Sequence, residues 1–240
     1  VILYFRHDII RILGAWFGSL FGKEGKDFKS RMGAHNPDTQ MGWFIILGTM
    51  PILIAGLLFK HAIEGSLRNL WITVTVLALF GVLLWVVDAR SKQVKTMKEM
   101  TWKDALIFGI GQMLALIPGV SRSGGTITFG RAMGYTREAA VRVSFLMAIP
   151  AVFGAGILEA VSAVKDVAAG DAGMFPGWGP TIAAAIVAFV VGYVVIIGFL
   201  KFVSTFSYKA FAIYRIGLAI VVALLLITGV LSPLEAAAAA

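Results

Sequence analysis

The run Pro118-Gly119-Val120-Ser121-Arg122-Ser123-Gly124-Gly125-Thr126 carries the only charge between Asp104 and Arg131, and apolar stretches flank it on both sides. An arginine kept among hydroxyls and glycines at membrane depth is costly, and ionisable groups there usually face a site or a water-filled cavity. Ser121 or Ser123 is placed to cap a following half-helix by accepting from its first free amides. Those amides, with the positive end of the helix dipole, make an anion site. Gly124 and Gly125 lack a Cβ, so a ligand oxygen could approach the backbone. Arg122 adds a fixed charge with forked donors suited to phosphate. Ser121, Ser123 and Thr126 add hydroxyls. The set reads as a phosphate cradle whose natural ligand is a lipid phosphate or diphosphate, its tail remaining in the bilayer. The alternative is that serine and glycine cap and pack a membrane hairpin while Arg122 bonds free carbonyls.

The rest of the chain must place this loop. Of its 240 residues 59% are hydrophobic and 14% charged, with a mean hydropathy of +0.88. A soluble domain carries about 25% charged residues, so the chain reads as an integral membrane protein with the bilayer as its solvent. The net charge of +8 then reports cytoplasmic loops facing anionic lipid rather than nucleic acid, for which there is no soluble basic domain. The absence of cysteine excludes disulfide and thiolate chemistry.

A spanning helix needs about 20 mainly apolar residues. The segments 41–59, 70–87, 143–160, 180–200 and 210–231 meet that need. Residues 104–117 are apolar but too short to span. They end at Pro118-Gly119, and a second short helix is expected from Ser123 to about Met133-Gly134. Two half-helices joined by such a loop predict a re-entrant hairpin over 104–134, tolerated only against protein or a polar cavity. Residues 7–40 read as an interfacial helix and a cytoplasmic loop, with Ile9, Ile10, Leu13, Trp16, Phe17 and Leu20 near helical spacing. Basic residues concentrate in 6–31, 90–103, 131–142 and 201–209, which share one side only if 104–134 enters and leaves on that side. That side is expected to be cytoplasmic, with 60–69 and 161–179 outside. The expected fold class is therefore an all-α polytopic helix bundle forming a single membrane domain over 1–235. Residues 236–240 read as an appended tail, and the non-methionine start at Val1 reads as a cut N-terminus. A weak internal repeat pairs Phe44–Pro51 with Phe145–Pro150, and only the second copy is preceded by a hairpin.

The motif P-G-V-S-R-S-G-G-T closely resembles the undecaprenyl-diphosphate phosphatase family of the bacitracin-resistance type. Gln112-x-Leu114-Ala115-Leu116 before it, Ser144–Pro150 after it and Phe211-Ala212-Ile213-Tyr214-Arg215 add to the resemblance. The resemblance implies inverted repeats with two re-entrant hairpins. It implies hydrolysis of undecaprenyl diphosphate to the monophosphate, which recycles the carrier for cell-wall precursors, in the bacterial inner membrane. Arg122 and Ser121 would be this segment's catalytic residues, and Ser121, Arg122, Ser123, Gly124, Gly125 and Thr126 would bind the substrate phosphates. The family's first hairpin carries two glutamates, seven and three residues before a proline, and a histidine. Gly111 and Ala115 stand at those positions before Pro118. The resemblance implies a divalent cation, magnesium or calcium, whose ligands would lie upstream of Val1 with the catalytic acids. The 240-residue piece alone is then expected to be inactive. Expected partners are the polyprenyl diphosphate lipid and the membrane; a homodimer is admitted. A transporter or flippase of an anionic polyprenyl lipid is the alternative function, and a non-catalytic membrane subunit a third.

Other polar residues have plainer expectations. Asp88 and Arg90 close a span, as an interfacial ion pair or positive-inside anchor. Glu138 and Arg142 form an i, i+4 surface pair. Arg215, five residues into the last span, is read as snorkelling or structurally paired, or else as supporting the site. Pro51 and Pro150 kink helices, and His61 and the tryptophans mark membrane interfaces.

Overall fold

The computed structural model describes residues 1–23, 25–168 and 177–234. Part of the loop expected outside, residues 169–176, and the tail over 236–240 lie outside the described residues. Ten α-helices occupy the described chain: α1 (Arg6–Leu20), α2 (Phe28–Arg31), α3 (Pro37–Leu58), α4 (Lys60–Glu64), α5 (Leu70–Arg90), α6 (Trp102–Met113), α7 (Arg122–Ala132), α8 (Arg137–Ala168), α9 (Trp178–Thr205) and α10 (Lys209–Ile227). Among the described residues no strand forms. Five of the helices, α3, α5, α8, α9 and α10, are long and apolar enough to cross a membrane. The molecule is an all-α polytopic membrane protein.

Local sequence sets the helix starts. Asn36 accepts from the amides of Asp38 and Thr39 with Pro37 at the first helical position, which begins α3. Asn69 caps α5 through the Trp71 amide. Thr101 and Asp104 form a reciprocal capping box that begins α6. Pro51 and Pro150 lie inside α3 and α8, and each helix continues through its proline. Helix α8 starts at Arg137, six residues before the expected span at 143, because a charged first turn precedes the apolar part. The stretch 7–40 resolves into α1, the single turn α2 capped by Asp27, and the start of α3.

Helices α3 and α6 pack closely because both are glycine at the crossing. A Cβ on Gly109 would collide with the Gly48 carbonyl. The two repeated segments meet where Met147 of α8 covers Gly48 of α3. Helix α10 packs on α5, and the Leu70 amide donates to Pro233 O (2.8 Å), so the two run antiparallel. Helix α9 buries none of its spanning window and turns Val187, Phe189, Val191 and Val194 outward. In a bilayer that surface is satisfied by lipid.

Candidate functional site: a braced hairpin with an arginine at its tip

Helices α6 and α7 lie side by side as a hairpin whose two ends meet. Tyr135, just past α7, donates its hydroxyl to Asp104 in the first turn of α6 (3.0 Å). Lys95 reaches the same carboxylate (3.3 Å) and stacks over the Tyr135 ring. The amides of Val94 and Lys95 donate to Gly134 O, and Thr136 N donates back to Lys95 O. Burial would push the Asp104 carboxyl up. The hydrogen bonds from Thr101, Tyr135 and Lys95 outweigh it and hold the group below the usual carboxylate range. Desolvation, then the bond to Asp104, pushes the Tyr135 phenol well above its ordinary value.

A second anchor ties the hairpin to its neighbours. Arg131, in the last turn of α7, is completely buried and donates Nε to Asp88 Oδ1 (2.8 Å). Its Nη1 donates to Tyr135 O and its Nη2 to Asp88 O. Arg137 of α8 brings Nε and Nη2 to the same carboxylate, each at 3.0 Å, and the Tyr208 amide completes it at 3.2 Å. Asp88 was expected at an interface beside Arg90. It is instead the buried junction of α5, α7, α8 and the turn before α10. Arg131, expected among the basic residues of the cytoplasmic side, is its principal partner. The sequence held one sign of this: Asp88 is the only acid between Glu64 and Glu99, surrounded by cations.

The tip follows from four residues. Ile117 accepts from the Val120 amide (3.2 Å) across Pro118-Gly119, and Gly119 has φ +98°. That is a type II turn, with proline pre-set at its second position and glycine at its third. A Cβ on Gly119 would collide with the Thr73 carbonyl, so the turn lies against α5. Thr73 precedes Asp88 by 15 residues. At the helical rise the tip therefore sits about 22 Å along α5 from the hairpin's base, close to the Leu70 end. Ser121 then takes φ +67°, accepts from the Gly124 amide through Oγ (3.3 Å) and starts α7, with its carbonyl accepting from Gly125 N. Of the two serines considered, Ser121 is the cap.

The predicted site residues divide by what surrounds them. Ser121 is exposed, and Arg122, Ser123 and Gly124 are half-buried at the first turn of α7. The Arg122 Nη1 is buried without a hydrogen-bond partner. Arg122 borders a cavity of about 570 Å³. The rest of that wall is apolar, including Ile149, Val152 and Phe153 of α8 and Phe189 of α9. Thr126 is fully buried and donates its hydroxyl to Arg122 O (2.7 Å), so it stiffens the first turn rather than facing outward. Gly125 is buried where a Cβ would strike Gly111 O, and it serves the α6–α7 contact. Gly111 and Gly125 are thus a packing pair.

Arg215 of α10 does not snorkel to the basic end. It is 8% exposed and donates Nη2 to Gly119 O (2.5 Å) and Val120 O (2.9 Å). Its Nη1 lies 2.8 Å from the position a Gly124 Cβ would take. Gln112 of α6, part of the run that carries the resemblance but given no role from sequence, is fully buried with neither amide atom bonded. The cradle donors are a guanidinium, hydroxyls and amides, which suit an anion. Among the described residues no group of three His, Cys, Asp or Glu gathers to hold a metal, and Asp88 and Asp104 are spent on arginine, lysine and hydroxyl partners. The described residues therefore do not fit the implied divalent cation.

Comparison with known proteins adds to this geometry. The family model described as "Bacitracin resistance protein BacA" matches residues 1–221. A curated protein named undecaprenyl-diphosphatase from Bifidobacterium adolescentis is 91% identical over 240 residues, which are all of this chain and 82% of that protein. One of the same name from Bifidobacterium longum subsp. infantis is 69% identical over 240 residues, again all of this chain and 81% of the relative. Another from Pseudarthrobacter chlorophenolicus is 51% identical over 233 residues, 97% of this chain and 80% of the relative.

Proposed function

This chain belongs to the bacitracin resistance protein BacA family, and from that premise we propose how its residues serve the reaction. The function is hydrolysis of undecaprenyl diphosphate to undecaprenyl phosphate. Water adds to the terminal phosphorus, the bridging P–O bond breaks, and inorganic phosphate leaves. The protein is a membrane hydrolase of the phosphoric anhydride class, and the bacterial cytoplasmic membrane is its setting.

The observation that carries the site assignment is Arg122, with an unpartnered Nη1 beside an apolar cavity at the start of α7. The cavity takes isoprene units next to the head group, and Arg122 forks onto the phosphates. The free amides of α7 and the hydroxyls of Ser121 and Ser123 donate to the phosphate oxygens. As the bridging bond breaks, charge gathers on the leaving oxygen, and fixed donors in a low-dielectric setting stabilise it strongly. A divalent cation, where present, would neutralise phosphate charge. These residues offer it no ligand set, and their part is binding, orientation and charge stabilisation. The tip lies near the Leu70 end of α5, so the head group enters from the face opposite the basic loops.

The test is Arg122→Ala in the full protein. Hydrolysis of polyprenyl diphosphate should fall by at least a hundredfold, on the order of losing one preorganised donor, with thermal unfolding unchanged. Near-normal turnover would remove Arg122 from the site.

A further inference from the structure

We propose that Arg215 is a second cation of the phosphate cradle, acting beside Arg122 on the diphosphate head group while it holds the loop in shape. The inference rests on the reading of the Ser121–Gly124 turn as the diphosphate site. Arg215 is more than nine-tenths buried, and among the described residues no carboxylate pairs with it. Its hydrogen bonds go to two carbonyls, Gly119 O and Val120 O, and both come from Nη2. Nε is buried with no partner. A buried arginine normally has its charge paired, because an uncompensated one is strongly unfavourable. The other buried arginine, Arg131, follows that rule with Asp88.

The direction of the guanidinium says where the uncompensated charge is used. Nη1 stands 2.8 Å from the place a Gly124 Cβ would occupy, against the first turn of α7. That turn presents free amides, the positive end of the dipole and Ser121 Oγ, so a second cation there adds to repulsion unless an anion joins it. A monophosphate could be held by Arg122 and the amides alone. A diphosphate carries two phosphoryl groups, and two guanidiniums flanking one helix start match that charge. Gly124 is then required to be small because Arg215 fills the space beside it.

The experiment uses the full chain in detergent micelles with inorganic diphosphate as the probe, read by the ligand-induced rise in unfolding temperature and by KM and kcat on polyprenyl diphosphate. Arg215→Gln removes the charge and leaves a shorter side chain with one amide donor group. It should unfold near the wild-type temperature without ligand, bind diphosphate at least about tenfold more weakly and raise KM in step, as losing one charge-assisted contact does. Arg215→Lys should recover most of that affinity. If Arg215→Gln binds diphosphate as wild type does, the inference is wrong while the cradle stands. If Arg215→Gln does not fold, Arg215→Lys decides, and binding as weak as that of Arg122→Ala overturns the proposal. If Arg122→Ala itself keeps the full response to diphosphate, the cradle reading fails, and the role of Arg215 goes with it.

Discussion

Replacing Asp88 by alanine tests whether the hairpin is anchored at its base by charge. The Asp88 carboxylate is 3% exposed and receives Arg131 Nε at 2.8 Å, Arg137 Nη2 at 3.0 Å and the Tyr208 amide at 3.2 Å. Summing these bonds would overstate the loss, because water replaces some of them in the unfolded chain. The decisive quantity is what the deletion strands. Arg137 is 24% exposed and can turn to water, whereas Arg131 is 0% exposed and cannot. Breaking a buried pair from one side typically costs about 3–5 kcal/mol, which for a chain of this size lowers the unfolding temperature by roughly 6–20 °C. Arg131→Met should cost less, because Asp88 keeps Arg137 and the Tyr208 amide. The double change Asp88→Leu with Arg131→Met should be milder than Asp88→Ala alone, since no buried charge is left unpaired. Thermal unfolding of the four proteins in one detergent gives the comparison. If Asp88→Ala shifts the midpoint by less than about 2 °C, or Arg131→Met costs more than Asp88→Ala, the stranded-charge reasoning is refuted.

Two further changes probe the tip and the clasp. Gly119→Ala places a Cβ against Thr73 O at φ +98° and should cost about 3 kcal/mol and most of the activity. Gly134→Ala, at φ +87° with open space around it, should cost only about 1 kcal/mol, as unfolding midpoints would show. The Asp104 carboxyl titrates lower in the folded protein than in the unfolded chain. Its stabilisation is thus fully present above about pH 4 and is lost as pH falls through the folded-state value. Acid titration of stability should therefore lose part of its slope below pH 4 in Asp104→Asn; an unchanged slope would show that the Thr101–Tyr135–Lys95 cluster does not hold the charge.

The sequence was most legible where one residue type acts alone. Bilayer length is a compositional signal, so α3 and α5 fall within a few residues of the expected spans. Pro118-Gly119 and the serines place the break and the restart of the hairpin to within a residue, because turn and cap chemistry is local. The outcome was different for residues whose meaning is a distant partner. Asp88, Arg131 and Arg215 look like ordinary helix-end or stray charges until α7 is laid against α5 and α10, since their partners lie far along the chain. Thr126 and Gly125 fit the anion motif by type. Helical geometry nevertheless directs the first hydroxyl to Arg122 O and the second residue to Gly111.

These partners share one mechanical purpose. The proposed phosphate site, a helix start flanked by Arg122 and Arg215, is effective only if none of its parts moves as charge shifts to the leaving oxygen, because reorganisation during the reaction would consume the stabilisation. An isolated hairpin of two short helices would not be that rigid, since helices of 12 and 11 residues are marginal by themselves. The chain fixes this one at three levels. Asp88 and Asp104 hold the base through ion pairs to Arg131 and Lys95. Gly111 and Gly125 let α6 and α7 touch backbone to backbone in the middle. Arg215 and the Thr73 carbonyl confine the turn at the tip. Ser121 adopts a left-handed backbone that favours glycine, and it is held there by its own cap and by Arg215 on the two preceding carbonyls. The strain sits beside Arg122, where the geometry has to be fixed, and the charges that brace it sit on three other helices. A change far from the cradle, such as Asp88→Ala, should therefore lower turnover by letting α7 move even while Arg122 is intact.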